Sequence, residues 1–334
     1  MKVFSTNEYG NLKSAVIGRP DNAVYPKGDR FYSQWVRSNP KWKQTDHAIP
    51  DTVISAARDD LFMVRDILND HGVKAWRPEI IDHRQTISDI RYTVTGYNSW
   101  NSRDFLLTLD NMVIECPSPF ASKHRESHAY QVIKNEAIAD GVRWIAAPTP
   151  RMEPAEAIRK NGGMQLTERY PIFTGSNILK FDDKLLYFKC STNNNIGSKW
   201  LQSVIGSEYE VIVWDKMNPD HNLDFGIMPI AKNLILVNAE RINGNNLPNF
   251  LRSYNKLWIE KCLEDNYYTW PMSSSWTGMN ILCLSENKVM INSTQKNLIK
   301  QLEANKVECV RVPLSHTQTF GGGLHRIITD LERT

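Results

Sequence analysis

A unit that recurs along the chain constrains the fold more than any other feature. DFLLTLDNMVIECP (104–117), NILKFDDKLLYFKC (177–190), DFGIMPIAKNLILVNAE (224–240) and NILCLSENKVMINST (280–294) share one plan. Each begins with Asp or Asn, runs through an apolar strand, turns on polar residues and returns as a second strand, which is a hairpin signal. A stretch of helical apolar spacing follows each: HAYQVIKNEAIADGV, SKWLQSVIG, LPNFLRSYNKLWIEKCL and STQKNLIKQLEANKV. These lead into short strands, VRWIAAP, YEVIVW, YYTWPM and ECVRVP. A shorter version opens the chain as LKSAVIGRP, VISAARDDLFMVRDILNDHG and VKAWRPE.

Five strand-strand-helix-strand units predict an α/β class chain, a five-bladed α/β propeller in a single domain over residues 1–334. Rings of this kind protect their sheet edges by circular repetition. The final LHRIITDLE would complete the short first unit and close the ring. An ordinary mixed α/β sheet with coincidental repeats is the alternative. If equivalent ends of the blades meet, Asp104, Asn177, Asp224 and Asn280 line a central polar cleft. The glycine turn before His325 arrives at the same rim.

Composition removes several function classes. A net charge of +3 without a basic block argues against nucleic acid. No run of about 18 apolar residues is available to span a membrane. The opening MKVFSTNEYG lacks the apolar core of a signal peptide, and five cysteines without a CxxC spacing fit reduced thiols, so a cytoplasmic protein is expected. FGGGLHR has neither a Gly-Lys-Ser/Thr nor a spaced GxGxxG, and strand-forming Ile327, Ile328 and Thr329 follow it. A nucleotide cradle is therefore disfavoured, and neither cofactor nor metal is expected. Three consecutive glycines still imply a tight turn or a close approach to a ligand.

In order along the chain, NEYGNLKSAVIGRPDNA, SRDFLLTLDNMVIECP, WIAAPTPRM, NNIGSKWL, NLDFGIMPIAKNLILVNAER, SSSWTGMNILCL and FGGGLHR resemble segments of the amidinotransferases of the guanidine-modifying (pentein) superfamily. The resemblance covers nearly the whole chain and implies the same five-bladed α/β propeller. It also implies amidino transfer from arginine to an amine through a covalent amidino-cysteine, with a positioned His as acid/base. A guanidino or amine small molecule is the implied partner, and the resemblance favours a homodimer.

The chemical positions depart from that pattern. Arg326 stands where the resemblance puts the nucleophilic cysteine, Asn177 where it puts the orienting carboxylate, and Asn222 where it puts the His. His221 lies one residue earlier, and His325 follows the glycines. The substrate-holding positions match: Asp104 and Asp224 as carboxylates for a guanidinium, Arg241 for a substrate carboxylate, and Ser274, Gly322 and Gly323 as further contacts. Arginine carries no accessible lone pair and cannot form the covalent intermediate.

Three readings follow from these positions. The chain is a catalytically impaired homologue that keeps an arginine-binding or guanidino-binding cleft. Alternatively it is an active enzyme of the same fold, transferring amidino groups or hydrolysing guanidines without covalent relay, with His221 or His325 as acid/base. The third reading is a structural or partner-binding protein. For Arg326 itself, an inward position on Asp104 and Asp224 competes with pairing to Asp330 or Glu332.

Overall fold

A computed structural model describes residues 1–38, 48–90, 92–150, 157–160, 163–263 and 273–334. Among these, the strands fall into five separate three-stranded sheets and two hairpins, not one mixed sheet. Leu12–Ile17 lies between Ile328–Arg333 and Lys74–Trp76, so the chain's last strand completes the first unit. Met112–Glu115 lies between Leu106–Leu109 and Arg143–Ala146, and Lys184–Phe188 between Ile178–Phe181 and Glu210–Trp214. Leu234–Asn238 lies between Ile227–Ala231 and Asn255–Ile259, and Lys288–Asn292 between Leu282–Ser285 and Glu308–Val312.

Every middle strand pairs antiparallel with one neighbour and parallel with the other. The antiparallel pairs 106–115, 178–188 and 282–292 close on tight turns whose Asp110, Asp182 and Asn287 take positive φ, a conformation these residue types tolerate. A parallel pair needs a longer crossover. The helices Asp51–Asp70, Gln131–Ala139, Asn195–Ile205 and Lys296–Ala304 supply it in four units. Leu185, Leu186, Tyr187 and Phe188 are completely buried, as are Ile235, Leu236 and Val237. Such continuous apolar strands are covered on both faces.

The fourth unit departs from expectation. The helix predicted over 247–263 is a 3-10 turn, Asn249–Ser253, followed by the strand Asn255–Ile259. Pro248 enters that turn with an extended ψ, and Leu257 and Ile259 bury themselves in the sheet, which outweighs their helical spacing. The expected strand YYTWPM lies outside the described residues. Within the segment 153–170, expected as a rim loop, Ala157–Lys160 pairs with Gly163–Leu166 as a hairpin. The other hairpin joins Thr86–Ser88 to Thr93–Thr95.

A short turn precedes one strand of every sheet, and these turns position the site. They are Ser102–Phe105, Gly175–Asn177, Leu223–Phe225, Ser275–Met279 and Leu324–Ile327. The last corrects the expectation of a strand directly after the glycines: Leu324, His325, Arg326 and Ile327 make one helical turn, with Arg326 N–H donating to the Gly323 carbonyl. Ser102–Phe105 touches Leu324–Ile327 on one side and Gly175–Asn177 on the other. Gly175–Asn177 touches Leu223–Phe225, which touches Ser275–Met279. The series returns to its start through Asn280, whose carbonyl and side-chain oxygens accept from the backbone N–H of His325 and Arg326. Among the described residues no helix is long and apolar enough to cross a membrane.

Candidate functional site

Asp104 stands on the turn Ser102–Phe105 and Arg326 on the turn Leu324–Ile327. Arg326 Nη2 lies 2.7 Å from each carboxylate oxygen of Asp104, and Nε donates to Oδ1 at 3.1 Å. The remaining nitrogen, Nη1, donates to the Gly321 carbonyl at 2.6 Å. The guanidinium carbon is 5.7 Å from the centroid of the Phe225 ring. Ser176 Oγ and Lys123 Nζ also donate to Asp104. Burial alone would raise the Asp104 carboxyl, but Arg326 and Lys123 outweigh it and bring its pKa down to about 2. Burial would likewise lower Arg326, yet Asp104 and Asp224 hold it above its ordinary value.

The alternative partners for Arg326 are filled by other cations. Asp330 accepts from Arg103, Lys180 and Arg333, and Glu332 pairs with Lys2. Arg103 does not pair with the neighbouring Asp104; it reaches Glu8 at 3.2 Å and Asp330 at 2.6 Å. Glu8, Arg103, Lys180, Asp330 and Arg333 are all buried, which demands this mutual pairing. Burial opposes ionisation of Glu8, but Arg103 and Lys180 prevail and hold its pKa near 2.

His325 joins this network to the site. Its Nδ1 is 3.1 Å from Asp224 Oδ2 and its Nε2 is 3.2 Å from Glu8 Oε2. Asp224 is completely buried, and its other oxygen, Oδ1, has no hydrogen-bond partner among the described residues.

Asn177 is held by its surroundings. Its Oδ1 accepts from Leu223 N–H at 2.8 Å, and its Nδ2 donates to the hydroxyls of Thr174 and Thr192. Asn222 caps the turn Leu223–Phe225 with extended backbone, and its carbonyl accepts from Phe225 N–H. The half-buried His221 has an unpartnered Nδ1; burial, reinforced by the charge of Arg241, lowers its pKa to about 4 and keeps the ring neutral near pH 7.

Arg241 is the least satisfied cation of the group. Its Nη2 is 3.4 Å from Ser274 Oγ, while Nε and Nη1 are buried with no partner among the described residues. Its guanidinium sits 5.7 Å from the Trp276 ring centroid. Burial lowers its pKa to about 10. This group can accept a carboxylate in the bidentate manner its geometry favours.

The close approach allowed by the glycines is to protein. A Cβ on Gly322 would come within 2.0 Å of Asn101 Oδ1, and one on Gly323 within 2.6 Å of the Thr277 carbonyl oxygen. Gly321 takes φ of 80°, the left-handed conformation that ends the preceding helical turn. All five cysteines are free. Burial pushes Cys116 well up, Cys190 and Cys309 to about 11, and Cys262 and Cys283 to about 12, so none is an activated thiol. Among the described residues no three His, Cys, Asp or Glu side chains converge as metal ligands.

Sequence reasoning missed Glu8, Lys123, Ser176 and Lys180, and weighed Asp330 only as a partner for Arg326. Glu8 lay within the quoted opening stretch but carried no chemical signal of its own. Lys180 sits in a strand where a lysine ordinarily marks a solvated face, and its complete burial has no local signature.

No protein-family model matches the chain. It is 31% identical to inosamine-phosphate amidinotransferase 1 of Streptomyces griseus, a match spanning 98% of this chain and 96% of the relative. It is 25% identical to the L-arginine:L-lysine amidinotransferase of Pseudomonas savastanoi pv. phaseolicola, over 99% of this chain and 94% of that one. The solved structure of the Streptomyces griseus inosamine-phosphate amidinotransferase superposes with a TM-score of 0.94 at 30% identity, covering 99% of this chain and 97% of the other. DDAH from Pseudomonas aeruginosa superposes with a TM-score of 0.62 at 11% identity, covering 96% and 99%, which is a likeness of fold alone.

Proposed function

The chain belongs to the amidinotransferase family, and we propose that it keeps the family's fold as a small-molecule cleft without thiol-mediated amidino transfer. In this reading the five sheets are the blades of an α/β propeller, and the five contacting turns line its centre. One observation carries the proposal: the position where the resemblance implies a cysteine is Arg326, and its guanidinium is bound to Asp104. An arginine is neither nucleophile nor base at accessible pH. Asp224, Arg241 and Ser274 are the proposed ligand contacts, with a guanidino or amine compound as ligand. The unpaired nitrogens of Arg241 and the unpaired oxygen of Asp224 support such a role.

The test is direct. The protein is incubated with arginine and an amine acceptor such as lysine or glycine, and ornithine release is followed. No release is expected, while at least one of these compounds raises the melting temperature. Ornithine formed above a heat-inactivated control overturns the proposal.

A second reading, non-covalent catalysis, draws on His221, which is neutral and has a free Nδ1. His325 suits that role poorly, because a carboxylate faces each of its ring nitrogens. Turnover of arginine that His221→Gln abolishes would favour this reading.

A further inference from the structure

We propose that Arg326 permanently fills the guanidinium seat, so that the cleft selects amino acids bearing a carboxylate and a terminal amine but no guanidinium. The inference rests on the retained cleft proposed above and names its ligand class.

Asp104 has no capacity left for a second guanidinium. Its Oδ1 accepts from Arg326 Nε, Arg326 Nη2 and Ser176, and its Oδ2 from Arg326 Nη2 and Lys123. A carboxylate offers about four lone-pair sites, and these contacts use them. The guanidinium itself is anchored at its far side by the Gly321 carbonyl. A free arginine would have to displace a group that is already tethered and paired on several sides.

What stays unpaired has a different shape. Arg241 has two buried nitrogens without a partner among the described residues, a fork suited to a carboxylate. Asp224 presents only Oδ1, because Oδ2 is taken by His325. A single acceptor oxygen suits an ammonium, which is a point donor, and wastes the planar two-pronged donation of a guanidinium. The two unpaired groups belong to neighbouring parts of the site. Asp224 lies on the turn Leu223–Phe225, which touches the turn Ser275–Met279, and Arg241 packs over Trp276 of that second turn. A ligand with a carboxylate at one end and an ammonium at the other, such as ornithine or lysine, matches both.

Isothermal titration with ornithine, lysine, arginine and methylguanidine tests this on the wild type, on Arg326→Ala and on the volume-preserving Arg326→Met. For the wild type, ornithine or lysine should bind at least tenfold more tightly than arginine, and methylguanidine should not bind. In both Arg326 variants arginine should gain at least tenfold and overtake the amines. Arg241→Gln should weaken every amino acid at least tenfold. Arginine binding as tightly as the amines to the wild type overturns the inference, as does an unchanged order in the Arg326 variants. Should the alanine variant fail to fold, the methionine variant and the wild-type order decide. Binding of none of the compounds by any form of the protein overturns the retained-cleft reading and this inference together, whereas binding in the wrong order overturns this inference alone.

Discussion

Arg326 and Asp104 are 222 residues apart in sequence and are joined by three hydrogen bonds, two of them at 2.7 Å. Both side chains are largely removed from water, so each depends on the other for its charge to be tolerated.

That dependence is unequal. Asp104→Ala leaves two cations, Arg326 and Lys123, without their shared carboxylate, and should lower stability by about 3–5 kcal/mol. Arg326→Ala leaves Asp104 facing Lys123 and Ser176, and should cost distinctly less. Urea denaturation of the two variants measures the difference, and equal losses would contradict the shared-carboxylate arrangement.

Placing a thiol at position 326 should not suffice for amidino transfer. Arg326→Cys lacks both the carboxylate and the imidazole that the family resemblance implies at positions 177 and 222. The triple change Arg326→Cys, Asn177→Asp, Asn222→His should release ornithine from arginine where the single change does not. Asn177→Asp is compatible with its surroundings, because Oδ1 still accepts from Leu223 N–H and the hydroxyls of Thr174 and Thr192 can donate in place of accepting. Strong activity in Arg326→Cys alone would show that His221 or His325 already serves as base.

The contribution of Glu126 to stability should fall as the pH rises through the weakly acidic range, against the opposite contribution of buried histidines such as His221, whose pKa burial lowers to about 4. Glu126 is completely buried, its oxygens have no hydrogen-bond partner among the described residues, and Lys123 Nζ is 3.6 Å away. Burial, only partly offset by Lys123, raises its pKa to about 7 from 4.5. The folded chain therefore holds this proton more tightly than the unfolded chain. The stability it contributes is present at acid pH and is lost progressively up to about pH 7, to the extent of roughly 3 kcal/mol. Glu126→Gln removes the titration. The variant should be the more stable form at pH 8, and the difference in urea midpoint between variant and wild type should shift in the variant's favour from pH 5 to 7.

Gly323→Ala should cost about 1–3 kcal/mol through overpacking, since the new methyl meets the backbone oxygen of Thr277 rather than a side chain that can swing away. The same change at Gly244, where nothing lies within 4 Å, should be nearly neutral. Thermal melts of the two variants compare them.

The sequence alone determined the repeated unit. Hairpin turns at Asp110, Asp182 and Asn287, apolar strands on either side and helices between parallel partners are properties of adjacent residues, so periodicity reads them. It also placed Asp104, Asn177, Asp224 and Asn280 at equivalent positions, with the glycine turn before His325 at the same rim, and the structure carries each of the four on or beside a turn preceding a strand. Where local pattern and packing conflicted, as over 247–263, packing decided, because burying Leu257 and Ile259 in a sheet outweighs a helical spacing in a short crossover. The ionic partnerships were decided by tertiary structure alone. His325 meets Glu8 across 317 residues, and Arg103 meets Glu8 and Asp330 instead of its neighbour Asp104. A charge in sequence does not declare its partner. Desolvation makes pairing obligatory only once the chain has closed and removed these groups from water, and it is the closed geometry that turned Arg326 onto Asp104.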